Sequence, residues 1–157
     1  MPRILKSGIP VWIVNVIVNW YSELYVAVRW NSTISHFFNV KAGVLQGVIL
    51  SPALFILFIN IFIVQLKESR YGCFININFM GCILYADDII LLSAPIDGLQ
   101  KMLNVCSTVA TEIHLTFNCN KSACLAFGPN WRNPVMCLSG SSVGLTSCYK
   151  YLGVTLL

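Results

Sequence analysis

The sequence has few charged side chains and no feature that divides it into parts. Charged residues make up only 10% of its 157 positions, whereas apolar residues make up 57%. Such a balance is unlike that of a freestanding soluble domain, so the chain either sits in a membrane or forms the interior of something larger. The net charge of +4 comes from scattered lysines and arginines without a basic tail. A net charge of this size is compatible with a polyanionic partner but does not require one. Linkers and internal repeats are absent, and the length predicts one domain over residues 1–157.

The cysteines lack the spacing of a zinc site. No pair is separated by two residues and the count is odd, with thiols at Cys73, Cys82, Cys106, Cys119, Cys124, Cys137 and Cys148. We predict reduced, mostly buried thiols in an intracellular protein, cytoplasmic or nuclear. A signal peptide is not expected, because Asn15 and Asn19 interrupt the first apolar stretch and no small-residue cleavage site follows it. We therefore predict that the protein is not secreted.

The most informative stretch is Tyr85-Ala86-Asp87-Asp88, which lies between the apolar runs Gly81–Leu84 and Ile89–Leu92. Each run is too short for a helix, so the pattern predicts a strand, a tight turn and a second strand. The turn presents two adjacent carboxylates that repel each other. Buried apolar surroundings would make it still more unfavourable for both to be charged. A hard divalent cation, preferably Mg²⁺, would neutralise them. A lone Asp-Asp pair is more often a solvated turn, so this motif does not decide the function alone.

The remaining patterns predict helices mixed with strands without βαβ alternation, which indicates an α+β fold. Predicted helices cover Ile9–Leu24, Ser51–Glu68 with Ser51 as N-cap, and Pro95–Ile113. Predicted strands form a hairpin over Tyr25–Val40 and single strands at Cys73–Phe79, Ala123–Phe127, Pro134–Leu138 and Tyr149–Leu157, with Ser139–Ser142 as a loop. His36 has no partner in its neighbourhood and is expected to be structural or exposed rather than a metal ligand.

A glycine-bracketed loop precedes the most apolar helix. Gly43 and Gly47 flank Gln46, and glycine there permits a positive φ or close approach of the backbone to a ligand. From Pro52 to Val64 the helix is apolar all round, apart from one asparagine, which predicts burial on every side. The stretch Ala42 to Leu66 carries no charge and is long enough to span a bilayer. A small membrane-associated protein is therefore an alternative interpretation.

Several segments follow one another in a characteristic order and spacing, namely Gly43-Val44-Leu45-Gln46-Gly47 with Leu50-Ser51-Pro52, then Tyr85-Ala86-Asp87-Asp88, then Asn118 and Lys121, and finally Tyr151-Leu152-Gly153. Together they resemble the palm of reverse transcriptases, specifically those of LINE-type (non-LTR) retrotransposons. The resemblance covers nearly the whole chain and implies a palm-like antiparallel sheet backed by helices. It also implies an RNA template, a DNA primer and dNTP as partners, with Mg²⁺ or alternatively Mn²⁺ as cofactor.

The resemblance further implies roles for individual residues. Asp87 resembles the carboxylate that binds the catalytic metals and Asp88 its supporting neighbour, while Lys121 resembles the lysine near the leaving pyrophosphate. The implied nucleotide- and template-binding residues are Gly43, Gln46, Gly47, Tyr85 and Ala86, and the implied primer grip is Tyr151, Leu152 and Gly153. Such chemistry is an in-line attack of a 3′-hydroxyl on an α-phosphate, helped by two metal ions.

One carboxylate of the family pattern has no counterpart in this sequence. The six acids are Glu23, Glu68, Asp87, Asp88, Asp97 and Glu112, and only the adjacent pair lies in an apolar hairpin. In the family the further Asp precedes the segment that resembles Gly8-Ile9-Pro10, while the fingers lie upstream and the thumb downstream. We therefore predict a palm fragment without polymerase activity by itself. A non-catalytic nucleic-acid-binding remnant is a further alternative, which predicts salt-dependent binding that does not depend on Asp87.

Overall fold

A computed structural model describes residues 9–41, 43, 45, 47–128 and 135–157. Over these ranges the chain forms three α-helices and thirteen short strands, arranged as five strand pairs and one three-stranded sheet. The predicted α+β class is therefore confirmed. The chain divides into two compact units, Met1–Asn60 and Ile61–Leu157, which are described in turn.

The first unit begins with a helix and continues into a β-ribbon. Helix α1 covers Val11–Ser22 and follows Pro10, close to the predicted bounds. In the ribbon, β1 (Tyr25–Val26) pairs with β4 (Phe38–Asn39), and β2 (Arg29–Trp30) pairs with β3 (Thr33–Ile34). Between the pairs the Val28 N–H donates to Ser35 Oγ at 2.9 Å, so a side chain interrupts the ladder. The predicted hairpin is confirmed as two short pairs, and His36 is exposed on it.

Helix α2 covers Leu50–Ser69, and its start corrects one prediction. Ser51 is the second residue of the helix rather than its N-cap, and its buried hydroxyl has no hydrogen-bond partner among the described residues. Pro52 still lies in the first turn, where a missing N–H costs nothing.

The predicted burial of α2 on every side is wrong. Of the apolar residues of α2, only Ile59, Phe62 and Leu66 are buried. Their spacing places them on one face of the helix. Val64 on another face is exposed, and so are Ile56 and Phe58, which lie one turn before the buried Ile59 and Phe62; Ile56 is 58% exposed. Helix α2 is also the one helix of the described residues that is long and apolar enough to cross a membrane. A core helix can meet the same criteria, so length and composition do not separate the two interpretations.

Helix α3 (Ile96–Glu112) carries the core of the second unit and follows Pro95 as predicted. Its buried stripe includes Met102, Cys106 and Val109. The helix packs against strand β10 (Met136–Leu138), where Gln100 makes two hydrogen bonds of 2.8 Å with the backbone of Cys137. The other buried apolar side chains of this unit come from α2, from the residue after α3 and from the sheet, namely Phe62, Leu66, Ile113, Met136, Leu138 and Val143.

Two further predictions about strands are wrong. The segment Cys73–Phe79 is not one strand but a hairpin of β5 (Phe74–Ile75) and β6 (Asn78–Phe79), because Asn76 adopts a positive φ of 55° and turns the chain. The predicted loop Ser139–Ser142 is a turn followed by the start of β11 (Ser141–Thr146). Strand β11 pairs antiparallel with β10 and parallel with β9 (Ala123–Leu125), which forms the three-stranded sheet.

Candidate metal-binding hairpin and its neighbours

The paired aspartates lie at the tip of the predicted hairpin. Strands β7 (Cys82–Tyr85) and β8 (Asp88–Leu91) pair antiparallel, with Tyr85 opposite Asp88. This register leaves Ala86 and Asp87 as a two-residue turn, the shortest common connection between antiparallel strands. At the other end of the hairpin the Leu92 N–H donates to the Gly81 carbonyl at 2.8 Å. The sequence prediction of strand, tight turn and strand is therefore confirmed.

The geometry of the turn places both carboxylates in water. Ala86 has a φ of 49°, a left-handed conformation that few residues with a Cβ adopt. Asp87, Asp88 and the flanking Tyr85 are exposed. The burial cost expected from the apolar flanks is thus absent, and water screens the repulsion between the two aspartates. Electrostatic cost alone therefore does not require a cation at the tip, although the carboxylates remain open to one.

The donor atoms at the tip are of a kind that can bind a metal ion. Carboxylate oxygens are hard ligands that suit Mg²⁺ or Mn²⁺, and adjacent aspartates can share such an ion or an ion pair. Among the described residues, no cluster of three His, Cys, Asp or Glu side chains could complete the coordination. The other acids lie at helix ends, as predicted: Glu23 and Glu112 at the last turns of α1 and α3, Glu68 in the last turn of α2, and Asp97 in the first turn of α3. Asp87 and Asp88 thus fit a divalent ion as two of its ligands.

The segment Tyr151-Leu152-Gly153 forms the turn of a second hairpin. Strand β12 (Tyr149–Tyr151) pairs with β13 (Val154–Leu156), with Tyr151 opposite Val154. Leu152 and Gly153 have φ values of 47° and 84°, and two successive positive φ angles suit a two-residue hairpin turn. The single strand predicted over Tyr149–Leu157 is therefore a tight hairpin.

Strand β12 is hydrogen-bonded to the segment that carries Lys121. The Tyr149 hydroxyl donates to the Lys121 carbonyl at 2.7 Å. Tyr151 lies two residues along, on the same side of the strand. Burial has the largest effect in raising the pKa of its phenol, followed by the negative charge of Asp88, with smaller effects from Cys82 and Tyr85. Strand β12 is therefore tied to the Lys121 segment by a hydrogen bond, while the charge of Asp88 acts on Tyr151 at a distance. Tyr149 was not predicted as a site residue; the only sequence signal was its alternation with Tyr151.

Hydrogen bonds hold the backbone of Lys121 in place. It ends a short 3₁₀ turn over Cys119–Lys121, in which its N–H donates to the Asn118 carbonyl at 3.0 Å. Its side chain is exposed. The turn borders an open cavity of about 430 Å³, lined by residues 116–120 and Ser141. The Lys121 backbone is thus fixed by hydrogen bonds while its side chain extends into solvent.

The glycine-bracketed loop is described only in part. Gly43 and Gly47 have φ values of 96° and 84°, so both adopt the positive φ that is one of the two predicted reasons for glycine at these positions. Gln46, together with Ala42 and Val44, lies outside the described residues. The implied nucleotide-binding role of this loop stays a prediction.

Comparison with known proteins identifies the class of the chain. Residues 4–156 match the family model for reverse transcriptase (RNA-dependent DNA polymerase), so the chain belongs to the reverse transcriptase family. It is similar to the RNA-directed DNA polymerase from the mobile element jockey of Drosophila funebris, with 30% identity over 124 residues. That alignment covers 74% of this chain and 13% of the length of the jockey protein. The predicted resemblance to reverse transcriptases of LINE-type retrotransposons is thereby confirmed.

Proposed function

We propose that this chain forms the palm of an RNA-directed DNA polymerase, in which Asp87 and Asp88 bind the catalytic divalent cations. The observation that carries the proposal is the two-residue turn, which presents both carboxylates to solvent at one hairpin tip. Membership of the reverse transcriptase family supports it, because that family acts on a nucleic acid template with nucleotide substrates. The partners proposed are an RNA template, a DNA primer and dNTP, with Mg²⁺ preferred and Mn²⁺ as a substitute.

Each residue at or near the tip would have its own role in nucleotide transfer. When bound, divalent ions stabilise the attacking and leaving oxygens of in-line nucleotide transfer. Asp87 and Asp88 would hold them, and the exposed Tyr85 ring would pack beside the primer end. Lys121 would place a positive charge near the leaving pyrophosphate, which favours its departure. The hairpin turn at Leu152 and Gly153 would contact the primer strand.

Metal binding at the tip is the first test. A titration of the chain with Mn²⁺, followed by loss of the free-ion EPR signal, should show a binding site that Asp87→Asn removes. Asp97→Asn is the matched control, because Asp97 is another exposed aspartate but lies at the start of helix α3. Equal Mn²⁺ binding by the wild type and by Asp87→Asn would count against the proposal.

Polymerase competence is a separate question. Because no cluster of three possible metal ligands is found among the described residues, we expect no primer extension from this chain alone on an RNA template with Mg²⁺ or Mn²⁺. Extension by the wild type that disappears in Asp87→Asn would show that the expectation of inactivity is wrong and that the site assignment is right. Extension unchanged by Asp87→Asn would point to a contaminating polymerase.

A further inference from the structure

The ribbon of the first unit, which runs from β1 to β4, holds large aromatic side chains in water. Trp30 is 78% exposed beside the turn, and Phe37 is 74% exposed on the return strand. Neither ring packs on another aromatic ring in the described part of the chain. Aromatic side chains contribute most to stability when they are buried. The ribbon therefore carries aromatic surface that its own folding does not use.

The backbone of the ribbon spaces these two rings. Between the two strand pairs the return strand has one residue more than the outgoing strand, which is the arrangement of a β-bulge. Because the Ser35 N–H donates to the Val28 carbonyl at 3.0 Å, the extra residue lies at 36–37. A bulge turns side chains away from the ladder, which accounts for the exposure of Phe37. Trp30 lies about three residues nearer the turn, or about 10 Å along the ribbon, so the two rings can contact separate groups of one extended ligand.

The charge of the ribbon is positive. Residues 25–41 include Arg29 and Lys41, both exposed, and contain no Asp or Glu. The Arg29 Nε donates to the Asn31 carbonyl at 3.4 Å, which keeps the guanidinium beside the turn. Cations without neighbouring acids complement a polyanion. Exposed aromatic rings and cations on one extended element suit unpaired nucleic acid, because the rings stack on bases and the cations contact phosphates.

We propose that the ribbon binds an unpaired strand of nucleic acid, with Trp30 and Phe37 stacked on bases and Arg29 and Lys41 in contact with phosphates. The inference rests on the proposed function for the identity of its partner, which is then the template RNA. A duplex does not fit this surface, because its bases stack on one another and offer no free face to a ring. Since the ribbon contains no acid, this binding needs no divalent cation.

The test compares exposed tryptophans on and off the ribbon. Fluorescence anisotropy of a labelled RNA oligoadenylate of about 10 nucleotides, with EDTA present, measures the binding. Trp30→Leu and Phe37→Leu should each weaken it by about 5-fold or more, the lower range for loss of one base–ring stack. Trp30→Phe keeps a ring and should retain most of the affinity. Trp12→Leu is the matched control, because Trp12 is 68% exposed but lies on helix α1, and it should leave the affinity unchanged.

Two further readouts report stacking and phosphate contact directly. Stacking on a base quenches tryptophan fluorescence, so the quenching by RNA should be lost in Trp30→Leu and persist in Trp12→Leu. Arg29→Gln should reduce the slope of log affinity against log salt by about 0.7, the value for one phosphate contact on a single strand. Wild-type RNA affinity in both Trp30→Leu and Phe37→Leu, or tighter binding of a duplex of the same sequence, would overturn the inference.

The remaining outcomes separate this inference from other occupants and from the proposed function. If Trp30→Leu lowers the mass seen in light scattering but keeps wild-type RNA affinity, another copy of the chain covers the ribbon and the inference is wrong. Asp87→Asn should bind the oligonucleotide as the wild type does. Trp30-dependent RNA binding in a protein without an Asp87-dependent Mn²⁺ site would overturn the proposed metal-binding function and leave the ribbon as a nucleic-acid surface.

Discussion

Ala86 adopts a left-handed conformation at the hairpin tip, which a side chain with a Cβ disfavours. Ala86→Gly should therefore raise the free energy of unfolding by about 0.5 kcal/mol, since relief of the strain outweighs the added freedom of the unfolded chain. Ala53→Gly, at an exposed position inside helix α2, should lower it by about 1 kcal/mol. Denaturant unfolding measures both, and a loss of stability in Ala86→Gly would show that the turn is wrongly described.

The cysteines differ in reactivity because their surroundings differ. All seven are free thiols; Cys106 is buried and four are half-buried, whereas Cys137 and Cys148 are exposed, which only partly agrees with the predicted mostly buried set. Burial raises the pKa of Cys82 to about 11, and burial together with the nearby Cys82 raises that of Cys106 to about 12.

Alkylation should follow that order. The thiolate is the reactive form, so at pH 8.5 (about the pKa of a free cysteine) iodoacetamide should modify Cys137 and Cys148 first. Cys82 and Cys106 should stay protonated and react slowly until the pH approaches 11 and 12. Peptide mass spectrometry measures how far each cysteine is modified. The control is denatured protein, in which all seven cysteines should react alike. Early modification of Cys106 in the folded chain would contradict the described core.

At the scale of elements, patterns confined to neighbouring residues predicted the structure best. The aspartate hairpin and helix α3 were predictable because strand runs, turn residues and the proline before the helix all lie within a few positions. The hairpin around Asn76 was missed because one asparagine with positive φ turns the chain, although the Asn-Ile-Asn sequence was a usable signal. A uniformly apolar helix such as α2 has no polar face, so its sequence could not show which side is exposed.

Contacts between distant segments could not be predicted from the sequence. The parallel pairing of β9 with β11 joins residues about twenty positions apart, and the bond from Tyr149 to Lys121 spans 28. No local pattern encodes either, because their formation depends on how the core closes. The candidate site was therefore predictable as separate motifs, while the hydrogen bond that joins β12 to the Lys121 segment was not.

Gln100 connects helix α3 to the sheet, and its removal should test that packing. Gln100→Ala loses a donor to the Cys137 carbonyl and an acceptor for the Cys137 N–H, and should destabilise by about 1–3 kcal/mol. Gln100→Glu keeps the acceptor but places a carboxylate oxygen against the Cys137 carbonyl oxygen. The two oxygens repel each other, so this variant should also lower the free energy of unfolding. Asn104→Ala, which removes only the exposed Gln100–Asn104 hydrogen bond, should have little effect on the denaturant midpoint. Equal stability of all variants would contradict the described helix–sheet contact.

At the scale of the whole molecule, large apolar side chains remain in water. Trp30 is 78% exposed and Phe37 is 74% exposed on the ribbon of the first unit. Exposed apolar surface promotes association, so the isolated chain should gain mass with concentration in light scattering after gel filtration. Replacing Trp30 and Phe37 by Lys should reduce this association. Replacing Ser32 and Thr33 by Lys adds the same charge to the ribbon without removing apolar surface, and should reduce it less. A monodisperse, cooperatively melting monomer would contradict the prediction.

The location of bound metal tests the central claim most directly. Fe²⁺ can replace Mg²⁺ at carboxylate sites, and with ascorbate and peroxide it produces radicals that cut the nearby backbone. We predict cuts around residues 85–88, the segment that carries both aspartates at the hairpin tip. These cuts should disappear in Asp87→Asn and persist in Asp97→Asn. Cuts confined to other parts of the chain, or an unchanged pattern in Asp87→Asn, would contradict a metal site at the hairpin tip.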